Sequence, residues 1–455
     1  MINIKIDSRK VVEGDTFVAI RGNTVDGHNF IPQVVEKGAK CVVVDHKVDV
    51  DVEQIIVEDT QEWLNEHIAA TYSDAVNEMN IVGITGTNGK TTTAYLTYQL
   101  LNELGSKTAY IGTIGYYVPG CEKIELPNTT PNILDLYDLI LSAKEKGCKN
   151  LIMEVSSHAL HQSRVRGLKF KVGAFTNLTQ DHLDYHKTME EYLNAKLLLL
   201  NQLEGPMIIN ADDEYHVAWK KHNNVIELGY NAADFKIEKF ENVPGGTKVT
   251  FTKDGNTHEI VTNLKNEFNV YNYLTALSIA SSLGYSIDSI LNATPKVTAP
   301  KGRCEIIKVR NAEAVVDYAH TPDAVEKIIT SFKAVSIGKV YTLVGCGGDR
   351  DATKRPIMGR IATEHSDYVI FTSDNPRTED PNKILEDILA GVEKDNYQVI
   401  VDRREAIVHI LDMLNDNDTA LILGKGHEDY QIIGREKTHL DDSEEIMKYN
   451  LKNRG

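Results

Sequence analysis

Short apolar runs and stretches of helical period take turns along the chain, the pattern of strands covered by helices. From the N-terminus, NIKI, TFVAI, CVVVD and QIIVED read as short strands separated by turn and helix signals. The next strand, NIVGIT, runs at once into glycine-rich GTNGKTTT and then into AYLTYQLLNELG, whose apolar spacing predicts a helix stopping at Gly105. Continuous apolar runs follow at TAYIGTIG, NLIMEVS, VGAFTNL and GPMIINAD, separated by helical segments, as in a buried sheet with covering helices. After the helix-like NYLTALSIASSLG, the stretch TAPKGR carries Pro300 and Gly302 and reads as a hinge. Beyond it EAVVDYA, VYTLVGC, DYVIFTS, QVIVD and TALILGKG interleave with helices as a second, mostly parallel sheet. The fold expected is α/β in three domains. A smaller N-terminal α/β domain occupies 1–77, a central P-loop-type, mostly parallel sheet with flanking helices 78–300, and a C-terminal Rossmann-like α/β domain 301–455.

Length agrees, since 455 residues at about 150 per domain give three. With 49 Lys and Arg against 66 Asp and Glu the formal charge is −17, which argues against nucleic acid or an anionic membrane as the main partner. The hydrophobic share of 42% and charged share of 25% are ordinary for globular proteins, and no run approaches the ~20 apolar residues of a membrane span. The start, MINIKIDSRKVVEGD, lacks the apolar core of a signal peptide, and the 5 scattered cysteines fit reduced thiols. A cytoplasmic, monomeric chain without nucleic-acid or membrane partners is expected.

The sharpest chemistry lies in the loop Gly86-Thr87-Asn88-Gly89-Lys90-Thr91-Thr92. Glycines after a strand let backbone N–H groups turn toward phosphate oxygens, and the following helix presents its N-terminus to the anion. Lys90 suits the β/γ charge of ATP, and the hydroxyl of Thr91 suits Mg²⁺. Ile84 stands where the generic G-x-x-x-x-G-K-[ST] loop has its first glycine, so the loop is a variant. Glu154 closes the apolar run NLIM, where a strand end would present its carboxylate beside that loop. Lys196, in EEYLNAKLLLL, reads from composition alone as a lysine at the polar edge of an apolar helix.

At GITGTNGKTTT the chain resembles the Mur ligases and folylpolyglutamate synthetases, ATP-dependent enzymes that join an amino acid to a carboxylate. EVSSHAL, FTNLTQDHLDYH, NADD, DYAHTPDA, GCGGDRDATKRP, SDNPRTEDP and GKGHEDYQ follow in the order found in the diaminopimelate-adding branch of the Mur ligase family, so the resemblance spans nearly the whole chain from DSRKV onward. It implies that Lys90, Glu154, His182 and Lys196 form the catalytic centre, with Thr91, Glu154, His182 and Lys196 as Mg²⁺ ligands and Lys196 carrying a CO₂-derived carbamate. It further assigns Asn272 to adenine, and Arg303 and Asp317 to the triphosphate and ribose, although Asn272 could equally be a helix cap.

The same resemblance points to Ser8, Asn128, Thr129, Thr130, Ser156, Gln162 and Arg164 for a UDP-sugar peptide. For NTTPN an ordinary turn is the competing reading. It assigns Arg350, Asp374, Asn375, Pro376, Arg377, Gly424 and Glu428 to diaminopimelate. A guanidinium can hold that substrate's distal carboxylate through paired hydrogen bonds, and a buried Arg377 or Arg350 left unpaired would disfavour lysine. The implied reaction is ATP-dependent ligation of meso-diaminopimelate to UDP-N-acetylmuramoyl-L-Ala-D-Glu through an acyl phosphate. The alternatives are a lysine-adding enzyme of the same family and a P-loop ATP switch that performs no ligation.

Overall fold

A computed structural model describes residues 2–22, 25–243 and 246–452. It forms two compact units, Met1–Leu228 with Thr275–Ile290 and Gly229–Leu274 with Leu291–Gly455. In the first, β1 (Ile4–Lys5), β2 (Thr16–Val18), β3 (Cys41–Val44) and β4 (Glu53–Ile56) pair in parallel in that order. Every residue of β3 is buried, as its unbroken CVVV requires. The helix Thr60–Val76 starts at Asp59, whose carboxylate accepts from the Glu62 N–H at 2.9 Å.

The larger sheet of this unit is built from β5 (Asn80–Thr85), β6 (Thr108–Gly112), β7 (Gly115–Tyr117), β8 (Asn150–Glu154), β9 (Phe170–Phe175), β10 (Met207–Asn210) and β11 (Val225–Gly229). Its order is β11-β10-β9-β5-β8-β6-β7, all parallel except the last pair. TAYIGTIG, expected as one strand, is therefore a hairpin, and Gly115 supplies the positive φ of 119° on its return. Register places Ile84 beside Glu154 and Thr85 beside Phe175, so the loops leaving β5, β8 and β9 emerge together. The helix Lys90–Glu103 ends as its spacing predicts, with Gly105 at φ 79°.

In the helix Met189–Leu197 the buried stripe is Tyr192, Ala195 and Lys196, continued by Leu199 in the following 3₁₀ turn. Lys196 is thus only 1% exposed, and the polar-edge reading of this lysine is overturned. Helical period places it on the apolar stripe, which composition alone does not reveal.

In the second unit β12 (Phe235–Val243), β13 (Gly246–Lys253) and β14 (Asn256–Thr262) form an antiparallel meander. A separate sheet contains β15 (Glu305–Val309), β16 (Ala312–Asp317), β17 (Val340–Val344), β18 (Tyr368–Phe371), β19 (Tyr397–Val399) and β20 (Thr419–Leu423). Its order is β15-β16-β20-β17-β18-β19, parallel apart from the β15 edge, with one apolar cluster on each face. β21 (Tyr430–Ile433) and β22 (Glu436–His439) make a final hairpin. The expected mixed α/β class with parallel-rich sheets is what the chain adopts. Among the described residues no helix is long and apolar enough to cross a membrane.

Candidate active site

The loop after β5 is shaped by its own glycines and by the segment following β9. Gly86 takes a φ of 147° and Gly89 one of 83°, and a methyl group on Gly86 would fall 1.9 Å from Thr176 Oγ1. The Thr87 N–H donates to the Asn177 carbonyl at 2.8 Å and the Asn88 N–H to Asn177 Oδ1 at 2.9 Å. Thr176 Oγ1 in turn donates to the Asn88 carbonyl at 2.7 Å. Lys90 curls over the loop, its ammonium donating to the carbonyls of Gly86 at 2.9 Å and Thr87 at 2.8 Å. The helix Lys90–Glu103 begins inside this loop, an arrangement suited to an anion. Thr176, Asn177 and Thr179 brace the loop, and their only signal in the sequence is the string FTNLT.

Glu154, at the end of β8, is fully buried and accepts from four donors. They are Tyr110 Oη at 2.6 Å, the Thr113 N–H at 2.8 Å, Thr91 Oγ1 at 2.9 Å and Thr113 Oγ1 at 3.2 Å. A buried carboxylate so fully paired is oriented with little freedom. Tyr110 and Thr113 are further residues that the motif reading missed. The carboxylate and the Thr91 hydroxyl supply hard oxygen donors at the mouth of the phosphate loop, a chemistry that fits Mg²⁺.

Lys196 reaches the same loop, donating to the Gly86 carbonyl at 2.8 Å, with its ammonium 4.4 Å from the Tyr192 ring centre. Burial, reinforced by the charge of Lys90, pushes its pKa well below the usual lysine value. A lysine favoured as the neutral amine fits the requirement for reaction with CO₂. His182 sits at φ 54°, about half exposed, with Nε2 3.5 Å from Asp181. Its ring lies edge-on to His158 at 5.0 Å and to Tyr192 at 6.0 Å. Tyr192, also unassigned from sequence, thus links His182, Lys196 and, through a 3.2 Å contact between its hydroxyl and that of Thr87, the phosphate loop.

Several residues expected to hold the sugar peptide connect to Glu154, Thr130 directly and the others through Thr130 or Thr113. Thr130 Oγ1 donates to the Glu154 carbonyl at 2.9 Å and accepts from the Ser156 N–H at 3.0 Å, while the hydroxyls of Thr129 and Thr113 meet at 3.0 Å. Arg164 donates to Gln162 Oε1 at 2.6 and 2.9 Å and to the Thr130 carbonyl at 2.9 Å. Asn128 is exposed in the same segment. Ser8 lies between β1 and β2, its carbonyl accepting from Lys37 at 2.8 Å.

In the second unit Asp317, at the end of β16, accepts from the N–H groups of Cys304 at 2.7 Å and Ala319 at 2.8 Å. Burial raises its pKa, and Arg303, stacked 4.5 Å over the Tyr318 ring, opposes the shift. Asn272 donates to Asn269 Oδ1 at 3.0 Å inside the helix Glu267–Ser282, so it does not cap the helix start.

The structure gathers most of the residues expected to hold the amino acid. Asn375 donates to Glu428 Oε2 at 2.8 Å and accepts from the Ile432 N–H at 2.9 Å. Asp374 Oδ2 lies 2.6 Å from where a methyl on Gly424, at φ 111°, would sit. Burial, then repulsion from Asp374, raises the Glu428 pKa, with buried Lys425 at 3.5 Å opposing it. Pro376 leads into Arg377, which takes a φ of 51° and donates from Nη1 to the Gly348 carbonyl at 2.8 Å. Gln431 fastens the hairpin to this loop by donating to the Asp374 carbonyl at 2.8 Å. Arg350 flanks Gly347 beside Arg377, but it is exposed, and Arg377 is half-buried. The expectation that either arginine is buried is therefore corrected. The turn GGDRD places Arg350 in solvent, which softens any penalty for leaving it unpaired.

Comparison with known proteins bears on this arrangement. Residues 2–76 match the Mur ligase family catalytic domain, 84–280 the Mur ligase middle domain and 302–426 the Mur ligase glutamate ligase domain. The UDP-N-acetylmuramoyl-L-alanyl-D-glutamate–2,6-diaminopimelate ligase of Bacillus cereus is 41% identical over 454 residues, covering 97% of this chain and 92% of its own. The chain belongs to the Mur ligase family. The Aquifex aeolicus enzyme of the same name is 43% identical over 447 residues, again covering 97% and 92%. Among solved Mur ligases, a UDP-N-acetylmuramoyl-L-alanyl-D-glutamate–2,6-diaminopimelate ligase superposes with a TM-score of 0.71 at 31% identity, covering 99% of this chain and 95% of its own. A MurF ligase from Thermotoga maritima, solved in complex with ADP, shares the fold at a TM-score of 0.71 and 19% identity, covering 100% of this chain and 99% of its own.

Proposed function

We propose that this Mur ligase joins meso-diaminopimelate to UDP-N-acetylmuramoyl-L-Ala-D-Glu at the expense of ATP, in the cytoplasm and as a monomer. The observation that carries the reading is the continuous network from the phosphate loop through Thr91, Glu154 and Thr130 to Ser156, Gln162 and Arg164. This network supports the reading because the residues proposed for the triphosphate and those proposed for an anionic acceptor share one set of hydrogen bonds. In the mechanism proposed, the γ-carboxylate of D-glutamate attacks the γ-phosphorus of ATP, the bond to ADP breaks, and an acyl phosphate forms. The substrate amine then attacks the acyl carbon, phosphate leaves, and an amide remains. Gly86, Thr87, Asn88, Gly89, Lys90, Thr91 and Thr92 hold the phosphates, the loop N–H groups and Lys90 facing charge that builds on the γ-phosphoryl oxygens. Asn272, Arg303 and Asp317 serve the adenine, triphosphate and ribose.

Thr91, Glu154, His182 and Lys196, the last as its carbamate, would hold Mg²⁺, which supplies charge neutralisation between two anionic reactants. Ser8, Asn128, Thr129 and Thr130 complete the acceptor contacts. Asp374, Asn375, Pro376, Arg377, Gly424 and Glu428 hold the amino acid, Arg377 taking the distal carboxylate and the two acidic side chains an ammonium, with Arg350 a solvent-facing second cation. The domain assignment follows: 1–77 for the sugar nucleotide, 78–300 for ATP and ligation, 301–455 for the amino acid. Purified protein given ATP, Mg²⁺ and the UDP-dipeptide should release phosphate on adding meso-diaminopimelate, and much less on adding L-lysine. Phosphate release indifferent to both added substrates would reject the ligase in favour of an ATP switch.

A further inference from the structure

We infer that Arg403 is a positioning residue of the amino-acid site, fixing the backbone of the two segments that carry Asp374 and Gly424 and acting on substrate only through them. The inference rests on the reading above, in which those segments hold the amino acid. Arg403 opens the helix Arg403–Asp412, after Asp402 caps it by accepting from the Glu405 N–H at 3.0 Å. Its side chain is wholly buried, and so is that of its ion-pair partner Asp442. Nε donates to Asp442 Oδ1 at 2.8 Å and Nη2 to Oδ2 at 2.6 Å, a planar paired arrangement. The guanidinium also grips two carbonyls: Leu423 through Nη2 at 3.0 Å, and Ser373 through Nη1 at 3.5 Å.

Leu423 ends β20 immediately before Gly424, and Ser373 follows β18 immediately before Asp374. These strands are not sheet neighbours; each ladders to β17, which lies between them, and no ladder hydrogen bond joins the two segments beyond their ends directly. The Arg403 fork bonds both of those segments, in a place where Asp374 Oδ2 would stand 2.6 Å from a methyl on Gly424. Burial works against the charge of Arg403, yet Asp442, with Asp374 and Glu428 adding to it, holds its pKa above the usual arginine value. A purely stabilising role explains the residue poorly, since buried ion pairs can often be replaced by well-packed apolar side chains at little cost.

The test compares Arg403→Lys, which keeps the charge and loses the fork, with the double variant Arg403→Met/Asp442→Leu, which removes the pair and fills its volume. KM is measured separately for meso-diaminopimelate, ATP and the UDP-dipeptide, alongside the thermal midpoint. In both variants KM for diaminopimelate should rise roughly 10- to 100-fold, the scale of a small misplacement of binding groups. KM for the other two substrates should move by less than about twofold, as groups outside their sites would dictate. If the double variant does not fold, Arg403→Lys carries the comparison alone. An unchanged KM for diaminopimelate in a folded variant, or three KM values moving together, would overturn the inference and leave the ligase reading intact. A wild-type enzyme that does not ligate diaminopimelate would overturn both.

Discussion

Glu154→Gln separates the chemistry of the site from its architecture. Glu154 accepts from Tyr110 Oη and the Thr113 N–H on one oxygen, and from Thr91 Oγ1 and Thr113 Oγ1 on the other. A backbone N–H cannot become an acceptor, so the glutamine carbonyl must take the first position and its NH₂ the second, where both threonine hydroxyls can rotate to accept. All four contacts survive and only their charge assistance is lost. Charged hydrogen bonds exceed neutral ones by roughly 1 kcal/mol each, but removing a buried charge returns several kcal/mol of desolvation, so stability should change by no more than about 2 kcal/mol. Activity should fall far more, by about 100- to 1000-fold, the scale of losing one electrostatic group at a phosphoryl or acyl transfer centre. The assay is phosphate release with saturating UDP-dipeptide and meso-diaminopimelate across a Mg²⁺ titration, beside a thermal melt. A variant within tenfold of wild type, with the same Mg²⁺ dependence, would refute the role given to this carboxylate.

Three further outcomes are expected. Gly86→Ala puts a methyl 1.9 Å from Thr176 Oγ1 at a φ of 147°, so KM for ATP should rise at least about tenfold in initial-rate measurements; an unchanged KM would show that the loop need not hold this shape. Lys196 has a folded pKa lowered from 10.5 by burial, so between its folded value and 10.5 the unfolded chain binds more protons and wild-type stability rises with pH. In protein prepared without bicarbonate, Lys196→Met should lack that slope, up to about 1.4 kcal/mol per pH unit in denaturant melts, and parallel curves would contradict it. Arg377→Lys loses the planar fork, so kcat/KM for diaminopimelate should fall roughly 10- to 100-fold while any rate with L-lysine stays level.

Much of this could be read from residues alone, and the remainder was hidden for different physical reasons. Strand, glycine loop and helix were visible at residues 80–103 because backbone conformation dictates composition there. The parallel strands of both units were visible as unbroken apolar runs. The burial of Lys196 was not, since a lysine on an apolar stripe looks like one at its edge until the stripe's phase is known. Tyr110, Thr113, Asn177, Tyr192 and Gln431 were missed for another reason: each acts through a contact distant in the chain, on Glu154, the phosphate loop or Asp374. Arg350 erred in the opposite direction, because motif membership says which segment a residue joins and not whether its side chain is buried.

Ligation of a particular amino acid is met most directly by one measurement. Purified protein is incubated with ATP, Mg²⁺ and UDP-N-acetylmuramoyl-L-Ala-D-Glu, with meso-diaminopimelate or L-lysine in parallel, and both released phosphate and the mass of the UDP-peptide are followed. One phosphate per amide formed is expected with diaminopimelate, and little product with lysine. Equal turnover of the two amino acids would contradict the assigned specificity, and phosphate release without a mass increase would contradict ligation itself.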